Sequence, residues 1–148
     1  MSDFKTLGIS RNLVKGLDEF GIKEPTEVQE KAIPFLMDNG SDFVCRAQTG
    51  TGKTAAFGLP LLERIDSKSD KVQGLILAPT RELAQQVAKH LFKFTKYTEK
   101  IFTEAVYGGD KIELQIKSLA RRTHIIVATP GRLIDLLKAG AVDLSTVK

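Results

Sequence analysis

F-V-C-R-A-Q-T-G-T-G-K-T, residues Phe43 to Thr54, is the stretch that decides the fold. A short apolar run, Phe43-Val44-Cys45, leads into a glycine-bearing turn and then into a helical pattern from Thr54 to Ile65. Strand, glycine loop and helix in that order form the context of a phosphate-binding loop. Gly50 and Gly52 take side chains out of the turn, so backbone N–H groups can converge on phosphate oxygens. The helix that begins there adds the positive end of its dipole. Lys53 has the reach for the β- and γ-phosphates of a nucleotide, and the Thr54 hydroxyl is suited to Mg²⁺. Lys53 and Thr54 are therefore the candidate catalytic residues and Thr54 the candidate metal ligand. The general pattern has glycine where this chain has Ala47, and a plain glycine-rich turn is the alternative. Alone, the loop implies a nucleoside triphosphate and names neither the base nor the reaction.

Outward from this loop the chain alternates. Leu75-Ile76-Leu77-Ala78, Ile101 to Val106 and Ile125-Ile126-Val127-Ala128 read as buried strands. Arg81 to Tyr97, with Leu83, Val87, Leu91 and Phe94 on one side, reads as a long helix, and Lys111 to Leu119 and Leu133 to Lys138 as two more. Upstream, Ile9 to Phe20 has helical spacing and Gly21 ends it as a cap. Thr26 opens a second helix with Gln29 three residues on, a capping-box pattern, running towards Met37 through a bend at Pro34 and stopping near Gly40. Short apolar strands alternating with helices imply βαβ units and a parallel sheet. Ligands of such sheets bind at the carboxyl ends of the strands. Here each of those ends carries Gly, Pro, Thr or Arg, so the loops share one face.

Composition bounds the rest. The 148 residues are 42% apolar and 27% charged, with net charge +4 and an isoelectric point near 9.2. That excludes a disordered chain and permits a polyanionic partner without requiring one. Cys45 is the single cysteine, which fits a reducing compartment, and its apolar neighbours suggest a buried structural thiol. The start, Met1-Ser2-Asp3-Phe4-Lys5, has no apolar signal core and no stretch is long enough to span a bilayer, so the expectation is a soluble, cytoplasmic protein with no membrane partner. His90 and His124 lack ligand spacing, and His90 reads as partly exposed. Lys89, Lys93, Lys96 and Lys100 read as a solvated face, and Phe92, Phe94, Tyr97 and Phe102 as core.

Four further segments carry two readings each. The Gln29 amide offers a donor and an acceptor together, which suits the adenine edge, but an isolated Gln is ordinarily a surface residue. Pro79-Thr80-Arg81-Glu82-Leu83-Ala84, Gly108-Gly109 and Thr129-Pro130-Gly131-Arg132 supply a helix cap, a tight turn and a proline at a helix start. The same groups also contact phosphate backbones.

Taken in order, these segments resemble the DEAD-box family of RNA helicases across nearly the whole chain. Phe4, Gly21, Pro25, Thr26 and Gln29 look like that family's Q motif with its upstream aromatic. Ala47 to Thr54 looks like motif I, Ala47 included, Pro79 to Ala84 like motif Ia, Gly108-Gly109 like the GG motif and Thr129 to Arg132 like motif Ib. The resemblance implies an α/β fold, a RecA-like P-loop NTPase domain whose parallel sheet is flanked by helices, and ATP and Mg²⁺ as cofactors. It implies that Gln29, helped by Thr26, reads adenine beside Ile22. Thr49, Gly50, Thr51, Gly52, Lys53 and Thr54 would hold the phosphates and Mg²⁺. Thr80, Arg81, Gly109, Thr129 and Arg132 would hold the sugar-phosphate backbone of RNA without reading its sequence. Ile22 stands where the family usually has an aromatic, so weaker ATP or ADP binding is expected.

In the family a D-E-A-D strand and a second RecA-like domain follow the position of Lys148. Residues 1–148 therefore read as the N-terminal part of the first domain, with the Q-motif region at 1–40 and a sheet incomplete at its C-terminal end. The C-terminal RecA-like domain of the parent chain is then an expected partner. These residues alone are expected to bind ATP without hydrolysing it and to be marginal or self-associating. A nucleotide- or RNA-binding module without catalysis is the alternative. A transport ATPase or GTPase is disfavoured by the Q-motif segment.

Overall fold

The computed structural model describes residues 3–38, 41–48 and 52–148. The chain divides into two units, Met1–Arg64 with Lys93–Thr98, and Ile65–Phe92 with Glu99–Lys148. Among the described residues no helix is long and apolar enough to cross a membrane.

The first unit contains α1 (Arg11–Glu19), α2 (Glu27–Asp38) and α3 (Lys53–Glu63). Gly21 closes α1: its N–H reaches Asp18 O at 3.0 Å and the Ile22 N–H reaches Leu17 O at 2.9 Å, the paired bonds of a Schellman cap. α2 runs on through Pro34 to Asp38 and lies against α3. The Arg64 guanidinium also donates to the Leu36 carbonyl. Phe4, Leu17, Ile33 and Leu59 are fully buried. Residues 93–98 join α1 closely. The Phe20 and Phe94 rings meet edge to face at 6.0 Å, and the Lys93 ammonium sits 4.3 Å from the centre of the Phe20 ring. The Glu19 carboxylate accepts from the Lys96 ammonium and the Tyr97 hydroxyl, which holds it below the usual carboxylate range.

The expected strand at Phe43-Val44-Cys45 does not form. Residues 42–48 carry no strand structure, Val44 is 90% exposed and Cys45 is exposed rather than buried. An apolar run becomes a strand only when a neighbour satisfies its backbone, and no described strand pairs with this one. Phe43 instead lies against the Phe35 ring at 5.0 Å.

The second unit holds β1 (Gly74–Leu77), β2 (Thr103–Val106) and β3 (Ile125–Ala128), with α5 (Ile112–Leu119) and α6 (Pro130–Lys138). The sheet is parallel throughout, as the alternation predicts, in the order β1-β3-β2. Ile125 pairs with Gly74 on one side and Thr103 on the other, and Ala128 with Leu77 and Val106. All four residues of β3 are fully buried, which is why that strand is apolar without alternation. His124, also fully buried, pins the entry to the sheet. Its Nδ1 accepts the Phe102 N–H at 2.9 Å and its Nε2 lies 2.8 Å from Ser69 O. A backbone donor on Nδ1 leaves the ring proton on Nε2, where it meets a carbonyl.

The helix between β1 and β2, α4 (Arg81–Phe94), buries Ala84, Val87, Leu91 and Phe94. Leu83 is exposed and Phe92 is 76% exposed, contrary to their reading as stripe and core. The heptad-like stripe starts one residue later than expected, and positions next to it are turned about 100° away.

Gly16 lies against the backbone of Lys93 and Phe94. A Cβ there would lie 2.4 Å from the Phe94 carbonyl oxygen. Gly16→Ala gains roughly 1 kcal/mol of helix propensity but forces α1 off that carbonyl, at about 1–3 kcal/mol. Urea denaturation should show a net loss of stability. A more stable variant would show that the contact is not close.

Candidate functional site

In the first unit the site is built around one buried amide. Gln29 occupies the first turn of α2 and is 1% exposed. Its Oε1 accepts the Thr26 N–H at 3.0 Å, and the Gln29 N–H approaches Thr26 Oγ1 at 3.5 Å, so the capping box forms with one firm bond and one weak one. The Nε2 then donates to the Gly52 carbonyl at 3.0 Å. The amide cannot be reversed, because its oxygen must meet an N–H and its nitrogen a carbonyl. The cap of α2 and the residue that caps α3 are thereby joined across twenty-three residues.

Gly52 is constrained twice. Its φ of +84° is left-handed, and a Cβ would fall 2.3 Å from Gln29 Nε2. Its carbonyl also accepts the Ala56 N–H at 3.2 Å, the first bond of α3. Gly52 caps α3 without a side-chain cap bond of its own. Lys53 is exposed and its ammonium donates to Ala47 O at 2.7 Å. Thr54 and Ile22 are half-buried and Thr26 is exposed. Thr49, Gly50 and Thr51, expected to hold phosphates, lie outside the described residues.

In the second unit the carboxyl ends of three parallel strands carry the other candidates. Thr80 caps α4, its Oγ1 accepting the Leu83 N–H at 3.2 Å. The Arg81 guanidinium carbon lies 5.1 Å over the centre of the Tyr107 ring, and its Nη1 is 3.1 Å from where a Gly109 Cβ would stand. Gly109 has φ +100°. Thr129 caps α6 without a side-chain bond, and its N–H donates to Val106 O at 3.0 Å. Pro130 follows at the helix start, where its missing N–H costs nothing.

Arg132 is placed differently from Arg81. Its side chain is 12% exposed. Nη1 donates to Asp110 O at 3.1 Å and Gln115 Oε1 at 2.9 Å, and Nη2 to Asp110 O at 3.1 Å. Its Nε lies 3.8 Å from the Asp135 carboxylate, beyond hydrogen-bond reach. Three residues escaped the sequence reading: Gln85, whose Nε2 donates to the Tyr107 hydroxyl at 3.0 Å, Tyr107 itself, and Gln115. Gln115 alone had a signal, as a polar residue inside the apolar spacing Ile112, Ile116, Leu119.

A family model described as DEAD/DEAH box helicase matches residues 26–148. The chain is similar to the ATP-dependent RNA helicase CshA of Listeria monocytogenes, 46% identical over all of this chain and 28% of that protein. It is 48% identical to the RNA helicase CrhR of Synechocystis over 99% of this chain and 29% of that protein. Among solved structures, a DEAD box protein from the hyperthermophile Methanococcus jannaschii superposes with a TM-score of 0.92 at 37% identity, over 99% of this chain and 39% of that one. S. cerevisiae Dbp5 bound to RNA and ADP BeF3 superposes at 0.87 and 31% identity, over 100% of this chain and 37% of that one. The chain thus spans less than a third of the length of these curated relatives.

The doubly constrained Gly52 gives a test of the first-unit geometry. Gly52→Ala meets about 1–2 kcal/mol of left-handed backbone strain and drives the Gln29 amide off the Gly52 carbonyl. The Gln29 side-chain amide protons should exchange with solvent markedly faster in the variant, followed by NMR. Unchanged exchange would mean that the bridge to Gly52 is not formed in solution.

Proposed function

The chain belongs to the DEAD/DEAH box helicase family, and from that premise we propose that the protein carrying it is a cytoplasmic ATP-dependent RNA helicase. In this reading residues 1–148 supply the ATP site and part of the RNA site, and a C-terminal RecA-like domain of the same protein is their partner. The names of the relatives support the activity, and the RNA and ADP BeF3 held by Dbp5 support the ligand classes.

The observation that carries the base assignment is the tethered amide of Gln29. Bonds to Thr26 and Gly52 use one oxygen lone pair and one N–H. One acceptor and one donor remain, the complement of the adenine N6–H and N7. Guanine offers O6 and N7, two acceptors, and would set O6 against the amide oxygen. Ile22 supplies an apolar surface for the base.

The loop suits a triphosphate because Gly52 leaves no Cβ between the Gln29 amide and the start of α3. Lys53 places a positive charge at that loop, and the Thr54 hydroxyl is a hard oxygen donor of the kind Mg²⁺ takes. Gly50 with Thr49 and Thr51 completes the set. When bound, Mg²⁺ neutralises phosphate charge.

On the second unit, Thr80, Arg81, Gly109 and Thr129 engage the sugar-phosphate backbone of RNA, and Arg132 belongs to the same surface. Helix starts, a glycine amide and a guanidinium recognise phosphate without reading bases. Binding is therefore salt-dependent and tolerant of sequence.

Calorimetric titration with ADP and GDP, each with Mg²⁺, tests the base reading. ADP should bind at least roughly tenfold tighter, the discrimination expected of one well-placed bidentate pair. Equal affinities would remove Gln29 as the adenine reader. Phosphate release from ATP by the full-length protein should rise with single-stranded RNA. ADP binding without that stimulation would favour a binding module over an enzyme.

A further inference from the structure

The loop from Tyr107 to Lys111 joins β2 to α5 and exposes Gly108 and Gly109. Both ends of this loop converge on Gln115. At its start, the Tyr107 carbonyl accepts Gln115 Nε2 at 2.9 Å. At its far end, the Asp110 carbonyl accepts two bonds from Arg132, and Arg132 in turn donates to Gln115 Oε1 at 2.9 Å. The amide sits between the two tethers and is 7% exposed.

Core stability does not account for a glutamine here. Its helix neighbours Ile112, Ile116 and Leu119 pack on the apolar cluster of Val106, Ile126 and Leu136. An apolar residue of similar size would suit that surface, and a buried polar group is at best modestly stabilising once its desolvation is counted. What the amide does supply is loop shape, because a single donor–acceptor pair meets a carbonyl on one side and a guanidinium on the other.

The same loop orients Arg81. Tyr107 lends its ring to the guanidinium and its hydroxyl to Gln85, and Arg81 Nη1 lies beside Gly109. Restraining Tyr107 therefore restrains the cation and the glycine amides together. Arg132 spends three of its N–H groups on Asp110 and Gln115, so it serves the loop more directly than it can serve a ligand.

We infer that Gln115 is a positioning residue for nucleic-acid binding, holding residues 107–111 in the shape that presents the Gly108–Gly109 amides and Arg81 to one phosphodiester. The inference rests on the RNA-binding reading above. It adds a residue that never touches RNA and recasts Arg132 as its partner.

The test measures binding of a fluorescent single-stranded oligouridylate to the full-length protein over a series of salt concentrations. It compares the parent protein with Gln115→Leu and Gln115→Glu, and Mg²⁺·ADP affinity is measured on each. Gln115→Leu should weaken RNA binding about tenfold. It should also flatten the slope of log affinity against log salt by about 0.7, the loss of one phosphate contact on a single strand. ADP affinity should stay at the parent value. Damage to the fold alone would lower the active fraction and leave that slope unchanged, which would overturn the inference. Parent-like RNA affinity and slope in Gln115→Leu would overturn it too. Should Gln115→Leu fail to fold, Gln115→Glu decides, because it keeps the acceptor for Arg132 and loses the donor for Tyr107. A flattened slope then supports the inference and a parent slope overturns it. If the parent protein itself binds no RNA, the RNA reading falls and takes the inference with it.

Discussion

Parallel pairing of β3 with β1 on one side and β2 on the other determines which loops of the second unit are neighbours. A central strand has both rows of backbone groups satisfied by its partners, so its residues can be wholly apolar and wholly buried, as Ile125 to Ala128 are. Because all three strands run the same way, their carboxyl ends emerge on the same side. Thr80, Gly109 and Thr129 follow those ends and are brought to one region for that reason alone. His124 secures the opposite end, bonding the chain before β2 and the chain before β1 through one ring. Slippage of either edge strand would cost one of those bonds.

Each unit also contains a buried glutamine that holds a glycine-containing loop. Gln29 joins a helix cap to the Gly52 carbonyl, and Gln115 joins the Tyr107 carbonyl to Arg132. The shared device follows from the amide group. Glycines have no side chains with which to fix a loop, and a residue with a donor and an acceptor on one amide can hold a backbone group on one side and another element on the other. Burial keeps water from competing for those bonds. The result is a backbone restrained through its carbonyl groups, at Gly52 in one unit and at Tyr107 and Asp110 in the other.

Much of the fold was legible because its causes are local. The Gly21 cap, the Thr26–Gln29 box, the Thr80 cap and Pro130 at a helix start are all events within one helical turn, and each formed where the residues placed it. The apolar run at 125–128 likewise declared a buried strand. Phe43-Val44-Cys45 looked equally apolar and formed none, since a strand is a relation between two segments and pattern reports only one of them. Leu83 and Phe92 failed for a smaller reason: Val87, Leu91 and Phe94 are buried as expected, but Ala84 rather than Leu83 fills the first position of that face, and Phe92, one residue from Leu91, is turned about 100° away from it.

The order of motifs along the chain was sufficient to name a family and to nominate Gln29, Gly52, Lys53, Arg81 and Arg132. What each of those side chains is bonded to was not recoverable from order. Gln29 meets Gly52 across twenty-three residues, Arg132 meets Asp110 across twenty-two, and Arg81 rests on Tyr107, a residue with no motif signal of its own. By itself, the sequence determined the helices, three of the four expected strands and the chemistry available at those strand ends, because propensity, capping and periodicity act over a few neighbouring residues. Only the tertiary structure decided which of those groups face open loops and which are committed to holding them, because that depends on hydrogen-bond partners brought together by sheet pairing and burial.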